Sequence, residues 1–322
     1  MRYDDTHGFV SLDGAELRGG ALETAPALSP LAPAPLGRGG PAERDAWRRG
    51  LGPLPDVARA RATKAVARLA TPARVVELHT ASAQGPHHLY YAWPEGTGRV
   101  AVLGVTPGGY SVALRTGGDL VASFQGALGL DAAFVGSDLV RPLDPHAVLA
   151  LAAFLDVLRA NRLLAELRHE RPLECASARD VAARLAEASA PDPRWPLCAL
   201  EKVLPFDVRD TAQEATVSGS LERLAAVGLL ESTGSGGALP PLFGPAPALL
   251  PLVEECSRAV AHAALSAFRL GAGGELVYES ALLVRGPLSL WLLSLAPEGG
   301  GLASLSPAGA SRLVARLAGP SA

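Results

Sequence analysis

Lysine is nearly missing from this chain: Lys64 and Lys202 are the only two among 29 basic residues, and 32 acidic residues leave a net charge of −3. That balance gives no general attraction to nucleic acid or to anionic lipid. The shortage of lysine beside abundant Ala, Gly, Pro and Arg reads as the coding bias of a GC-rich bacterium. Cysteine is equally scarce. Cys175, Cys198 and Cys256 are odd in number, far apart and without a C-x-x-C spacing, which excludes a disulfide framework and a cysteine zinc site. Long apolar runs are absent too: Ser280 to Ala296 is broken by Arg285, Gly286 and Pro287 and is too short to span a bilayer. The opening MRYDDTHGFVSL lacks the layout of a signal peptide. The expectation is a soluble cytoplasmic protein with no membrane insertion.

Catalytic motifs are missing as well. There is no G-x-S-x-G elbow, no Walker or G-x-G-x-x-G pattern opening a helix, and His169-Glu170 lacks the second histidine of a zincin. His87-His88 and His79 raise the question of a metal. Neighbouring residues on a strand point to opposite faces, and no carboxylate or cysteine stands at a matching spacing, so solvated histidines are expected and no metal or cofactor. In the aromatic cluster Tyr90, Tyr91 and Trp93, alternation puts Leu89, Tyr91 and Trp93 in the core and leaves His88 and Tyr90 facing outward.

What the chain does contain is pattern. Its 322 residues, 48% of them hydrophobic, suffice for one large or two ordinary cores. The organising stretch is Thr216–Phe243, TVSGSLERLAAVGLLESTGSGGALPPLF. Leu221, Leu224 and Val227 mark one helix face, Gly228 stops the helix, Leu229 and Leu230 begin a strand, and Ser232–Gly237 permits a hairpin tip. These are the parts of a winged-helix-like unit.

Around it the chain divides into four regions. In 1–50, residues 8–22 read as a hairpin turning at Asp13-Gly14, and Thr24–Pro41 as an irregular Pro/Gly-rich connector. In 51–135, an amphipathic helix at Asp56–Ala70 precedes four strands, Arg74–Thr80, His87–Trp93, Arg99–Val105 and Gly109–Arg115. The breaks are too short for parallel crossovers, and a helix at Asp119–Leu128 closes the module. In 144–245, Asp144 caps a long helix from Pro145 to Glu170 whose broad buried face includes Leu149, Ala152, Leu155, Leu158, Leu163 and Leu164. Shorter helices follow near 178–188 and 197–204. In 246–322, a helix at Ala246–Leu265 precedes strands at Leu265–Leu270, Leu276–Val284, Leu288–Leu295 and Gly301–Leu305, and a helix at Pro307–Leu317. The fold class is therefore α+β, with two pseudo-repeated halves of antiparallel meander plus helix flanking a helical, winged-helix-like region.

Two stretches, DVARARATKAVARLATPARVVELHT followed by RVAVLGV and GYSVALR, and GPLSLWLLSLAPEGGGLASLSPAGASRLVARL near the end, carry a resemblance. In layout the chain resembles the EspG-type chaperones of mycobacterial type VII secretion. The resemblance implies two pseudo-symmetric sheet-and-helix halves and non-catalytic binding of protein partners in the cytosol. The Pro-rich N-terminal region and the winged-helix-like insert depart from that family.

The functional expectation is a non-enzymatic adaptor or chaperone that binds another protein within a bacterial multi-protein system, with His88, Tyr90, Thr216, Ser220 and Arg223 as contact surface. The rivals are a winged-helix transcription regulator and an enzyme with a dispersed site. Against the first, Glu170 to Glu231 holds eleven acidic and seven basic residues, the wrong sign for neutralising phosphates. The second would show itself as a buried cluster of titratable groups in a cleft.

Overall fold

A computed structural model describes the chain apart from residues 26, 38, 83–84, 97, 128–129, 131–133, 138, 188–194, 234–239, 260 and 319–322, and apart from the side chains of 82, 85, 123–124, 127 and 317–318. The described elements follow in chain order. The first region holds β1 (Arg2–Asp4), β2 (Phe9–Leu12), α1 (Gly14–Thr24) and α2 (Pro41–Leu51). Next come α3 (Asp56–Ala70), β3 (Arg74–Ser82), β4 (Gly85–Trp93), β5 (Val100–Thr106), β6 (Gly109–Arg115) and α4 (Gly117–Ala127). The middle contains β7 (Val140–Leu143), α5 (Pro145–Arg168), β8 (Ala176–Ser177), α6 (Ala178–Ala186), α7 (Pro196–Glu201), α8 (Glu214–Ala226), β9 (Leu230–Thr233) and β10 (Leu242–Pro245). The last part is α9 (Leu250–Ser257), β11 (Ala261–Leu270), β12 (Leu276–Arg285), β13 (Leu290–Ala296), β14 (Gly299–Ser304) and α10 (Pro307–Ala318).

Among the described residues, eleven strands form one antiparallel sheet in the order β1-β2-β6-β5-β4-β3-β11-β12-β13-β14-β7. The two meanders, β3 to β6 and β11 to β14, lie back to back and are joined where β3 pairs with β11 from Arg74↔Arg269 to Ser82↔Ala261. Short breaks within each meander make its strands antiparallel neighbours, and β-branched and aromatic residues fill both faces. On one face, α1, α2 and α3 cover the first meander through Leu17, Trp47, Ala62, Val66 and Leu69. On the same face, α5, α7 and α9 cover the second through Val148, Leu151, Leu200 and Leu252. On the opposite face α4 and α10 pack against each other and over the join, where Leu120, Leu313 and Val314 meet Leu78, Leu265 and Leu283.

From α5 onward the middle region has a helix, strand, helix, helix, helix, hairpin order around a small sheet β8-β10-β9. Its core is continuous with that of the second meander, because α5 contributes to both. Asp144 caps α5, accepting from the Ala147 amide at 3.0 Å, and Pro145 takes the first helical position.

Three expectations are corrected. Residues 8–22 do not form a hairpin at Asp13-Gly14: the tight turn lies between β1 and β2, and Asp13 opens α1. Its carboxylate accepts from the Glu16 amide at 2.8 Å while Glu16 accepts from the Asp13 amide at 2.9 Å, a capping box that commits the segment to helix. The connector expected from Thr24 to Pro41 does separate α1 from α2; among the described residues it contains only a short 3-10 turn at Ala34–Leu36, and its Leu31 and Leu36 are buried. The helix expected from Ala246 to Leu265 is confined to α9, and β11 begins at Ala261. AHAALSA has good helix propensity, but pairing on both sides with β3 and β12 decides its state. Finally, Leu163 and Leu164 are not part of the buried face of α5, being 43% and 48% exposed. The expected hairpin tip falls largely at 234–239, outside the described residues.

Candidate functional site

Three places in the fold collect side chains that could serve a function. The first is on the helix-covered face where the meanders join. His79 and His88 are cross-strand partners on β3 and β4, and Glu77 lies two residues before His79 on the same face, opposite Tyr90. Both imidazole Nε2 atoms point at one carboxylate oxygen, Glu77 Oε1, at 3.0 Å from His79 and 2.8 Å from His88. The rings stack with centroids 3.7 Å apart. Burial alone would raise the Glu77 pKa, but the hydrogen bonds from the two histidines outweigh it and hold the carboxyl down at about 2. Burial lowers the His79 pKa, partly opposed by Glu77. Tyr90 is pushed up by burial and by the charge of Glu77, to which its phenol is hydrogen-bonded. Beside Glu77 and Tyr90 opens a cleft of about 180 Å³ walled by Leu31, Pro33, Phe268 and Leu276.

This arrangement corrects the reading of the histidines. His87 and His88 do diverge, as strand geometry requires, but His88 meets His79 across the ladder and Glu77 supplies the carboxylate. Spacing within one strand cannot reveal a partner that register provides. Tyr90, expected to face outward, is only 6% exposed because α3 and the 28–36 segment cover this face. His88 is half-buried. The cluster joins titratable groups beside a cleft, yet both Nε2 atoms are directed at a carboxylate and not at a hydroxyl or thiol. Ser266, directly opposite Glu77, donates its hydroxyl to the Val203 carbonyl and shares a second hydrogen bond with the Ser280 hydroxyl.

The second place is the helical middle region. Thr216, Ser220 and Arg223 all lie on α8, but the structure does not present them as one surface. Ser220 is 1% exposed and donates to the Thr216 carbonyl at 2.9 Å. A side chain committed inside the helix packing cannot be a contact residue, so that expectation is corrected. Arg223 is exposed, but its Nε donates to the Asp144 carboxylate at 2.8 Å. Thr216 is half-buried. Behind α8, Asp156 of α5 is fully buried and accepts from Arg184 Nε and Nη2 of α6 at 3.0 and 2.8 Å. Burial raises its carboxyl to about 7 against the pull of Arg184. Arg184 also donates to Cys198 of α7 at 3.1 Å and lies 5.3 Å from the ring of Trp195. Burial pushes the Cys198 and Cys256 thiols up, which suits inert core cysteines and not nucleophiles.

The third place was invisible in the sequence. In the last turns of α5, Leu163, Leu164 and Leu167 form an exposed stripe at helical spacing, with Leu167 78% exposed, while Ala165 between them is buried. The helix ends at His169 in the left-handed conformation, with φ of 56°. The chain then turns back alongside, held by Asn161 Nδ2 donating to the Leu173 carbonyl at 3.1 Å. Leu173 in this returning segment is also exposed, at 58%. Arg162, ion-paired to Glu174 at 3.2 Å and Glu254 at 2.9 Å, fastens that segment.

No family model and no curated protein matches the chain. Among solved structures, it is similar to the type VII secretion system chaperone EspG5 of Mycobacterium tuberculosis, solved in complex with a PE25–PPE41 dimer. The similarity covers 95% of this chain and 93% of that one at 11% identity, with a TM-score of 0.46. This is the family that the sequence resembles, and the likeness is one of fold alone. Among the described residues no helix is long and apolar enough to cross a membrane.

Proposed function

We propose that this protein is a non-enzymatic adaptor or chaperone that binds another protein in the bacterial cytoplasm. The observation carrying this reading is the set of exposed leucines Leu163, Leu164 and Leu167 at the end of α5 and Leu173 just beyond it. A capped, ion-paired helix that keeps its apolar stripe outside its own core offers the anchor of a protein interface, since grouped leucines gain most from a partner's apolar surface. The middle region, acidic overall and with Arg223 tied to Asp144, supports a protein contact over the DNA contact of a regulator.

The test is affinity purification of the tagged full chain from its native host, washed at high salt, beside the variant carrying Leu164→Glu and Leu167→Glu. The expected result is a stoichiometric protein that survives the wash with the unaltered chain and is lost with the variant. A partner retained equally by both would remove these leucines as its site. Recovery of nucleic acid only, lost as salt rises, would favour the regulator.

A further inference from the structure

We propose that Glu77, His79 and His88 form a mononuclear binding site for a divalent cation of the zinc class. Their donor atoms, one carboxylate oxygen and two imidazole nitrogens, all lie within 4.8 Å of one another. Two nitrogens and one oxygen make a donor set suited to zinc and its neighbours, with a further position open. Zinc bonds of about 2.0–2.1 Å in a tetrahedron separate ligand atoms by roughly 3.3 Å. The present Nε2 to Oε1 distances of 3.0 and 2.8 Å therefore need only a few tenths of an ångström of opening.

The backbone is suited to holding such a site. β3 is paired on both sides, by β4 and β11, and β4 by β3 and β5, so the three donors stand on interior strands of fixed register. The Tyr90 phenol bonded to Glu77 is the outer support that orients a ligating carboxylate. The side chains are shielded but reachable, 18% exposed for Glu77, 16% for His79 and 27% for His88. The cleft bordered by Glu77 and Tyr90 gives room for a water or a small ligand in the open position. In the metal-free protein each Nε2 carries its proton toward Oε1. On binding, each Nε2 gives up its proton, Nδ1 takes one up, and the Nε2 lone pair goes to the metal, a change of tautomer. Lys202, whose charge repels a proton on His79, opposes the cation and moderates its affinity.

The experiment uses the full chain stripped with a chelator and titrated with Zn²⁺ by calorimetry. One equivalent per chain is expected, lost in the variant with both His79→Asn and His88→Asn. Tyr90→Phe should weaken binding roughly 10-fold or more, and Lys202→Ala should tighten it. Should the histidine variant fail to fold, carbethoxylation of the unaltered chain read by mass spectrometry still decides: zinc should protect His79 and His88 while His7 and His146 continue to react. Failure of the unaltered chain to take up zinc, equal uptake by the folded histidine variant, or unprotected His79 and His88 would each overturn the proposal.

Discussion

Arg223 and Asp144, 79 positions apart in the chain, meet at 2.8 Å, so that the side chain capping α5 is also the anchor of α8. One carboxylate accepts from the Ala147 amide and from a guanidinium, and two helices of the middle region are oriented through a single residue.

Asp144→Ala should therefore lower stability by about 1 kcal/mol, typical of a lost cap. Arg223→Ala should cost less than about 1 kcal/mol, as for a half-exposed ion pair. Urea denaturation of the two variants and their double mutant separates cap from pair. Burial would raise the Asp144 pKa, but the amide and guanidinium bonds outweigh it and place it below the ordinary value. Its contribution is thus present above about pH 4 and fades as acid protonates it.

Asp156 should behave in the opposite sense. Burial raises its carboxyl to about 7 in the folded chain, above the value of about 4 for an unfolded aspartate. The folded state holds an extra proton between those values, so this group's contribution is greatest in acid and falls as pH rises through 7. Urea midpoints at pH 5 and pH 8 should show a larger alkaline loss for the unaltered chain than for Asp156→Asn. Equal slopes would show that the Arg184 pair keeps the carboxylate ionised throughout.

The hairpin of α1 and α2 depends on two glycines. A Cβ at Gly19 would collide with the Glu43 carbonyl, and one at Gly20 would sit 2.7 Å from the ring of Trp47. Gly20→Ala should destabilise by roughly 1–3 kcal/mol as an overpacking change, and Trp47 is its natural fluorescence reporter. An unchanged unfolding curve would mean that the helices part at little cost.

Leu167→Glu, by contrast, should leave stability within about 0.5 kcal/mol of the unaltered chain, because the side chain is 78% exposed. Loss of a partner with the fold intact would assign the leucine to binding. A clear fall in the denaturation midpoint would instead make it part of the core.

Leu78 and Leu265 face each other where the two meanders join, and both are about 1% exposed. Leu265→Ala should cost roughly 2–5 kcal/mol, read by denaturant unfolding. A single cooperative transition is expected, since the same core contains residues of both meanders.

Much of this architecture was legible because it is written locally. The breaks between β3 and β6, and again between β12 and β14, are turn sequences, and Asp144-Pro145 announces α5. The misreadings share a cause. Asp13 carries both turn and cap chemistry, and only Glu16 reaching back selected the cap. The alanines of β11 spell helix until two neighbouring strands claim their backbone. Leu163 and Leu164 continue the periodicity of α5 faultlessly, but periodicity does not say where the packing partners stop. For the candidate site, the i, i+2 spacing that puts Glu77 and His79 on one strand face was overlooked, and His88 joins them only through a register that the sequence does not print. Cross-strand chemistry is the information that a linear reading loses.

The pairing of β3 with β11 also bears on how the chain is made. On the ribosome, the first meander is complete long before residues 261–270 exist, and β3 must wait with one side of its backbone unpaired. Such an edge is a template for any passing strand. The window stays open for nearly 180 residues, from Ser82 to Ala261, which at ≈ 5–20 residues per second lasts roughly ten to forty seconds. A nascent chain of this design has reason to meet a holding factor early, and crowding during its synthesis is the time at which two copies could exchange halves.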